Sequence, residues 1–198
     1  MKRRSLFFTV LLTVLLVSPT WAQSESDSSD DCAVGALDMS TANASLQSEA
    51  PAAATAEATA AAEARVQSII AQDGIHVVHF WAPWCSNSRS ELANGWDELV
   101  TQNGDVSFTF VTVWNAGKDG APTLNTYGLP NRVNELTLPG GSETNRTDRV
   151  RSFLGLPVTW IPTTWIFHNN GELAFALNYG EMRMATLQRL IDVTAQPW

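Results

Sequence analysis

The chain has 198 residues, with 12 Lys+Arg against 20 Asp+Glu and a formal net charge of −8. Phosphate binding needs grouped cations, so this acidic balance excludes nucleic acid as a partner and argues against an anionic membrane surface. The length suits one domain with a substantial core, and the two cysteines, Cys32 and Cys85, allow a single internal bridge.

Residues 1–22 are expected to be a secretory signal peptide. Lys2, Arg3 and Arg4 form a basic start, an apolar run covers residues 6–17, and Thr20-Trp21-Ala22 offers small residues for cleavage. The run falls short of the roughly 20 residues that span a bilayer, so no stable membrane insertion is expected after cleavage; an uncleaved anchor is the alternative. Loss of the signal removes three basic residues and no acidic ones, leaving a charge of −11. The expected location is extracytoplasmic, periplasmic or secreted, where disulfides persist. Residues 23–50 read as a disordered or flexible segment, Ser- and acid-rich at its start and carrying Cys32. Residues 51–198 read as the folded domain, opened by an alanine-rich helix over 51–72 whose inward side gathers near Val66, Ile69 and Ile70.

Residues 75–81 are apolar and β-rich, the pattern of a strand buried on both faces. Pro83 ends it, lacking an N–H for the ladder. Leu92, Trp96 and Leu99 then recur at helical spacing, which predicts one helix over 86–100. A second strand is expected over 106–114, with Val106, Phe108, Phe110 and Trp114 at even spacing. Residues 116–139 are rich in Gly, Pro and Asn and predict at most a short helix over 123–127. Residues 140–151 predict a surface loop running into a helix near 148–154. Strands over 163–167 and 173–179 form a hairpin through Asn170-Gly171, a type I′ signal, and residues 182–193 are an amphipathic helix. The whole is α/β, a central mixed sheet with helices on both faces.

The chemistry centres on Cys85, placed where the first strand gives way to a helix. Unpaired N–H groups and the helix dipole there favour a thiolate, the nucleophilic form of cysteine, while Trp81 and Trp84 oppose ionisation with apolar surface. Three residues on stands Ser88 where a second cysteine would make a dithiol pair. A hydroxyl cannot resolve a mixed disulfide, but it can donate a hydrogen bond to a thiolate. Release therefore needs another thiol. Cys32 is a candidate resolving thiol, or a cap on Cys85 in a resting disulfide; an unrelated cysteine is the plain alternative. His79 reads first as a hydrogen-bonded core histidine; a proton relay to Cys85 is the alternative, since imidazole titrates near neutrality. Histidines 76, 79 and 168 have no metal-ligand spacing, and no phosphate-binding glycine loop is present, so neither a metal nor a cofactor is expected. Asn43-Ala44-Ser45 and Asn145-Arg146-Thr147 fit the glycosylation pattern.

The run Phe80-Trp81-Ala82-Pro83-Trp84-Cys85, followed by Arg89 and Glu91, resembles the thioredoxin family, and most of all its extracytoplasmic branch of thiol reductases and cytochrome c maturation proteins. Trp160-Ile161-Pro162-Thr163-Thr164 resembles the family's second motif. The match spans roughly residues 65–196. The resemblance implies a thioredoxin-like fold, Cys85 as nucleophile, and Pro162 as a cis-proline shaping a substrate groove with Trp84 and Ile161. It places His79 where relatives carry a buried Asp or Asn, and Ala93 where many carry a kinking proline. Ser88 departs from the family's resolving cysteine. Ala82 stands where peroxidases of the peroxiredoxin type carry Thr, which disfavours peroxidase chemistry. The implied partners are protein thiols and disulfides and an external thiol donor. Two functions remain open: a single-cysteine thiol–disulfide oxidoreductase or isomerase, and a redox-inactive module that binds extended peptide.

Overall fold

The computed structural model describes residues 49–178 and 180–196; the expected signal peptide and residues 23–48 of the expected flexible segment, Cys32 among them, lie outside these, while residues 49–50 belong to the first helix. The elements in chain order are α1 (Glu49–Ile70), β1 (His76–Trp81), α2 (Ser86–Ala93), α3 (Trp96–Gln102), β2 (Ser107–Thr112), α4 (Ala121–Thr126), β3 (Asn134–Thr137), β4 (Ser152–Phe153), β5 (Leu156–Pro157), β6 (Thr163–Phe167), β7 (Leu173–Leu177) and α5 (Met184–Thr194). Among the described residues no helix is long and apolar enough to cross a membrane.

Five strands form one mixed sheet in the order β3-β2-β1-β6-β7. β1 runs parallel to β2 and antiparallel to β6, so the central strand is paired on both edges. All six of its residues are buried, as a double-faced apolar strand requires. The pleat sends alternate side chains to opposite layers. Val78 and Phe80 pack with Val111, Phe153, Trp165 and Phe167 beneath α1, which contributes Ala62 and Val66. Val77 and Trp81 pack with Phe108, Phe110 and Ile166 beneath α2, α3 and α5, through Leu92, Trp96, Leu99, Leu187 and Ile191. Helices therefore cover both faces, the thioredoxin-like α/β arrangement.

Four local expectations are corrected. The single helix over 86–100 is two helices, broken at Asn94-Gly95: Gly95 takes φ 109, a conformation that L side chains rarely adopt. The break thus comes two residues after Ala93, from glycine rather than proline. The helix near 148–154 is absent. Phe153 instead inserts from a two-residue strand, and Leu154 and Gly155, both at positive φ, turn the chain back as β5. Third, Trp114 does not continue the Phe108–Phe110 face. The strand ends at Thr112, and Trp114, at φ 54, turns to the opposite layer beside Val111 and Val113. Fourth, the β6–β7 turn is not type I′, since Asn170 has no positive φ. Gly171 N–H donates to His168 O at 2.9 Å, and Gly171 alone is left-handed (φ 79), with a register shift beside Phe167.

Strand β3 lies in a segment whose Gly, Pro and Asn content predicted only loop and a short helix. It is an edge strand of partly exposed residues, parallel to β2, and it lacks the apolar alternation that marks a half-buried strand. Just before it, Arg132 closes the far end of α3: its Nη2 donates to the carbonyls of Val100 and Asn103, and its Nη1 to that of Val106 at 3.0 Å.

The two glycines flanking α3 make a controlled test. Gly95→Ala must hold alanine at φ 109 and is expected to lower stability by about 1–2 kcal/mol. Gly104→Ala meets open space without a left-handed φ and should stay within about 0.5 kcal/mol of the parent. Urea unfolding midpoints at unchanged slope measure both.

Candidate active site

Cys85 stands at the junction of β1 and α2. Trp81 ends the strand, Pro83 breaks the ladder, and Cys85 N–H donates to Ala82 O at 3.1 Å to close the turn. Cys85 is the N-cap of α2, in extended backbone conformation, and its carbonyl accepts from Arg89 N–H at 3.1 Å. The strand ladder sets what faces it. The β1–β6 pairing ends at Phe80 opposite Thr163, so the residues that follow β1 meet those that precede β6. The Ile161–Pro162 peptide bond is cis, and Cys85 Sγ lies 3.6 Å from the Ile161 carbonyl oxygen. The structure thus brings together Cys85, Ile161 and Pro162, distant in sequence.

Two features of Cys85 set its state in this structure. Its side chain is buried, and its sulfur is disulfide-bonded, with no free cysteine among the described residues. Cys32, the chain's one other cysteine and the candidate resolving thiol, lies outside the described residues. Ile161 and Pro162 are buried as well, while the neighbouring Trp160 is 40% exposed.

Ser88 is buried, and its hydroxyl accepts from Ala82 N–H at 3.4 Å. It fastens the turn that presents the cysteine rather than bonding to the sulfur. Trp84 is half-buried, and its Nε1 donates to Trp114 O at 2.8 Å. The cis-proline loop is pinned by Asn178, a residue that the sequence did not single out. Its Oδ1 accepts from Thr163 Oγ1 at 2.8 Å, and its Nδ2 donates to Thr159 Oγ1 at 2.7 Å. Gly180 N–H donates to Pro162 O at 3.2 Å.

His79 points to the α2 side of the sheet. Its Nδ1 is 2.9 Å from Thr164 Oγ1, and its ring packs on Trp96 and Phe110, with centroids 4.5 and 5.3 Å away. Burial drives its pKa down to about 3, so it is neutral at physiological pH. The neighbouring group that titrates closer to neutrality is Glu91. Glu91 is buried on α2, and burial, helped by the charge of Glu181 and opposed by a hydrogen bond from Met182 N–H at 3.2 Å, raises its pKa to about 8. Glu91 Oε2 and His79 Nε2 stand 3.8 Å apart, neither with a hydrogen-bond partner. With these shifts the pair is two neutral groups at pH 7, not an ion pair. The sequence signal for Glu91 was its place on the α2 face carrying Ser88 and Leu92, three residues from each of Ser88 and Asn94, but burial of a carboxyl is a tertiary fact.

The two shifts have opposite signs. Folded Glu91 keeps its proton up to about pH 8 while the unfolded carboxyl loses it near 4.5, so its contribution to stability falls as pH rises across that window. Folded His79 stays neutral down to about pH 3 while the unfolded imidazole charges near 6.5, so its contribution is lost as pH falls through that range. Stability is expected to be flat where the windows overlap and to decline on both sides. Glu91→Gln, which mimics the neutral acid, should abolish the alkaline decline and leave the acid one. Urea midpoints across the pH range check this, and an unchanged alkaline slope would show that Glu91 ionises normally.

No family model and no curated protein sequence matches the chain. Among solved structures it is similar to DsbF of Mycobacterium tuberculosis, at 21% identity and TM-score 0.44 over 63% of this chain and 83% of that one. It is similar to a secreted Mycobacterium tuberculosis disulfide oxidoreductase homologous to E. coli DsbE, at 21% identity and TM-score 0.45 over 62% and 84%. A DsbF homologue from Corynebacterium diphtheriae gives 20% identity and TM-score 0.49 over 62% and 73%. Independently of these, the strand order, the cis-proline before β6 and the cysteine capping the helix after β1 make the fold of this chain thioredoxin-like.

Proposed function

We propose that the chain is an exported thiol–disulfide oxidoreductase or isomerase in which Cys85 is the nucleophile and Cys32 the second thiol. The observation that carries the reading is a cysteine at a helix N-terminus, 3.6 Å from the carbonyl before a cis-proline and already engaged in a disulfide. The signal-like residues 1–22 support export, and an oxidising location suits a stored disulfide.

In the reducing direction the Cys85 thiolate attacks one sulfur of a substrate disulfide. That S–S bond breaks, a mixed disulfide forms, and one substrate thiolate leaves. The Cys32 thiolate then attacks Cys85 Sγ, forming the Cys32–Cys85 bond and expelling the second substrate thiolate. Two electrons pass from the cysteine pair to the substrate, and an external dithiol restores the pair. In isomerisation a substrate thiolate replaces Cys32 in the second step and no net electrons move, which suits a motif lacking a resolving cysteine at position 88. Ser88 holds the Ala82 amide, and Asn178 holds the loop of Pro162. A redox-inactive peptide-binding module is the competing reading, favoured by the burial of Cys85.

Intact mass with and without reductant, combined with alkylation, should show one intramolecular bridge in the isolated chain and two reactive thiols after reduction. Cys85→Ala should abolish insulin reduction and refolding of scrambled ribonuclease, whereas Cys32→Ala should accumulate Cys85 mixed disulfides. Retained activity in Cys85→Ala would sink the proposal. Ser88→Cys supplies an internal resolving thiol and should raise insulin reduction by about tenfold or more.

A further inference from the structure

Arg149 is the buried charge that this chemistry has not used. It lies in the loop between β3 and β4 and is 4% exposed. Its guanidinium carbon stands 4.7 Å from the Trp114 ring centroid and 5.1 Å from that of Trp84. Its Nε donates to Ser142 O at 2.9 Å and its Nη2 to Glu143 O at 3.1 Å. The rings are tied in turn: Trp84 Nε1 donates to Trp114 O, and Trp114 Nε1 to Val150 O, each at 2.8 Å. Two backbone features are spent on this arrangement. Trp114 holds φ 54, an outlier for so bulky a residue. Gly141 is left-handed, and a Cβ there would come within 2.7 Å of Arg149 Cα.

A guanidinium is weakly hydrated and stacks on aromatic faces, so it can be buried where an ammonium would not be. Burial, with Arg146 and Arg151 nearby, brings it down to about 10, which leaves it charged throughout the neutral range. The ring beneath it belongs to the residue before Cys85. The other titratable groups on elements around Cys85 contribute less. His79 of β1 and Glu91 of α2 are neutral at pH 7. Arg89 of α2 and Glu143, Arg146 and Asp148 of the loop are exposed and screened by water, while Glu63 of α1 and Arg151 are half-buried. Residues 158–164 carry none.

We infer that Arg149 is a positioning residue for the thiol: it clamps Trp84 against Trp114, fixing Cys85 at the α2 N-terminus, and its charge favours the Cys85 thiolate. The inference rests on Cys85 being the nucleophile. Its test uses the full chain with Cys32→Ser, so that Cys85 is the one thiol, and follows the rate of iodoacetamide alkylation against pH. Arg149→Met should raise the midpoint by about one unit, making alkylation below it about tenfold slower. Arg149→Lys keeps the charge but not the planar stack and should move the midpoint less than half as far. Near-UV circular dichroism reports whether each variant is folded. Should Arg149→Met unfold, Trp84→Phe loses the indole tether with Arg149 intact and should shift the midpoint in the same direction. An unmoved midpoint in folded Arg149→Met, or in Trp84→Phe where the former unfolds, overturns the role of Arg149 and leaves Cys85 as nucleophile. A Cys85 that alkylates in none of the variants overturns both.

Discussion

The antiparallel ladder between β1 and β6 is the constraint on which the site depends. Its last pair, Phe80 and Thr163, places the end of one strand beside the start of another. Everything chemical follows within a few residues of that pair, with Cys85 on one chain segment and Ile161-Pro162 on the other. The ladder is secured because β1 is paired on both edges and buried on both faces, so a slip of one residue would send Val77 and Trp81 to the wrong layer. A side chain mounted just beyond so constrained a strand end is held without needing a rigid loop of its own.

Three ionisable side chains are buried around this junction, and each meets the cost of burial differently. His79 gives up its charge and packs as an aromatic ring. Glu91 keeps a proton that an exposed carboxylate would lose. Arg149 cannot deprotonate near neutrality, so it spreads its charge over two indole faces and two carbonyls. The surroundings of Cys85 are therefore dry, with neutral acid and imidazole on one side of the sheet and a fixed cation on the other. In such a medium a small displacement of charge acts on the sulfur more strongly than it would in water.

The strand–Pro–Trp–Cys–helix passage was legible because each step is local: an apolar β run, a residue without an N–H, and then helical spacing. The Thr163–Phe167 strand and the amphipathic last helix were legible for the same reason. The failures share another cause. Strand β3 has no apolar alternation because it is a sheet edge, and β4–β5 are two-residue strands too short to show a period. The split of α2 from α3 hung on Gly95, whose tolerance of positive φ does not say whether a helix passes through it or stops. Trp114 was misplaced because even spacing predicts a face only while the strand lasts.

By itself the sequence determined an acidic α/β chain whose one candidate nucleophile caps a helix, faces a Pro-Thr segment of matching type, and lacks a cysteine at position 88. It could do so because helix starts, strand ends and missing residues are properties of neighbours along the chain. Tertiary structure alone decided that Ser88 bonds to Ala82, that Glu91 rather than His79 titrates near neutrality, and that Arg149 lies over Trp84. Those outcomes depend on which layer a side chain enters and how much water it loses there. Strand order and the course of the 140–151 loop set both, and no local pattern encodes either.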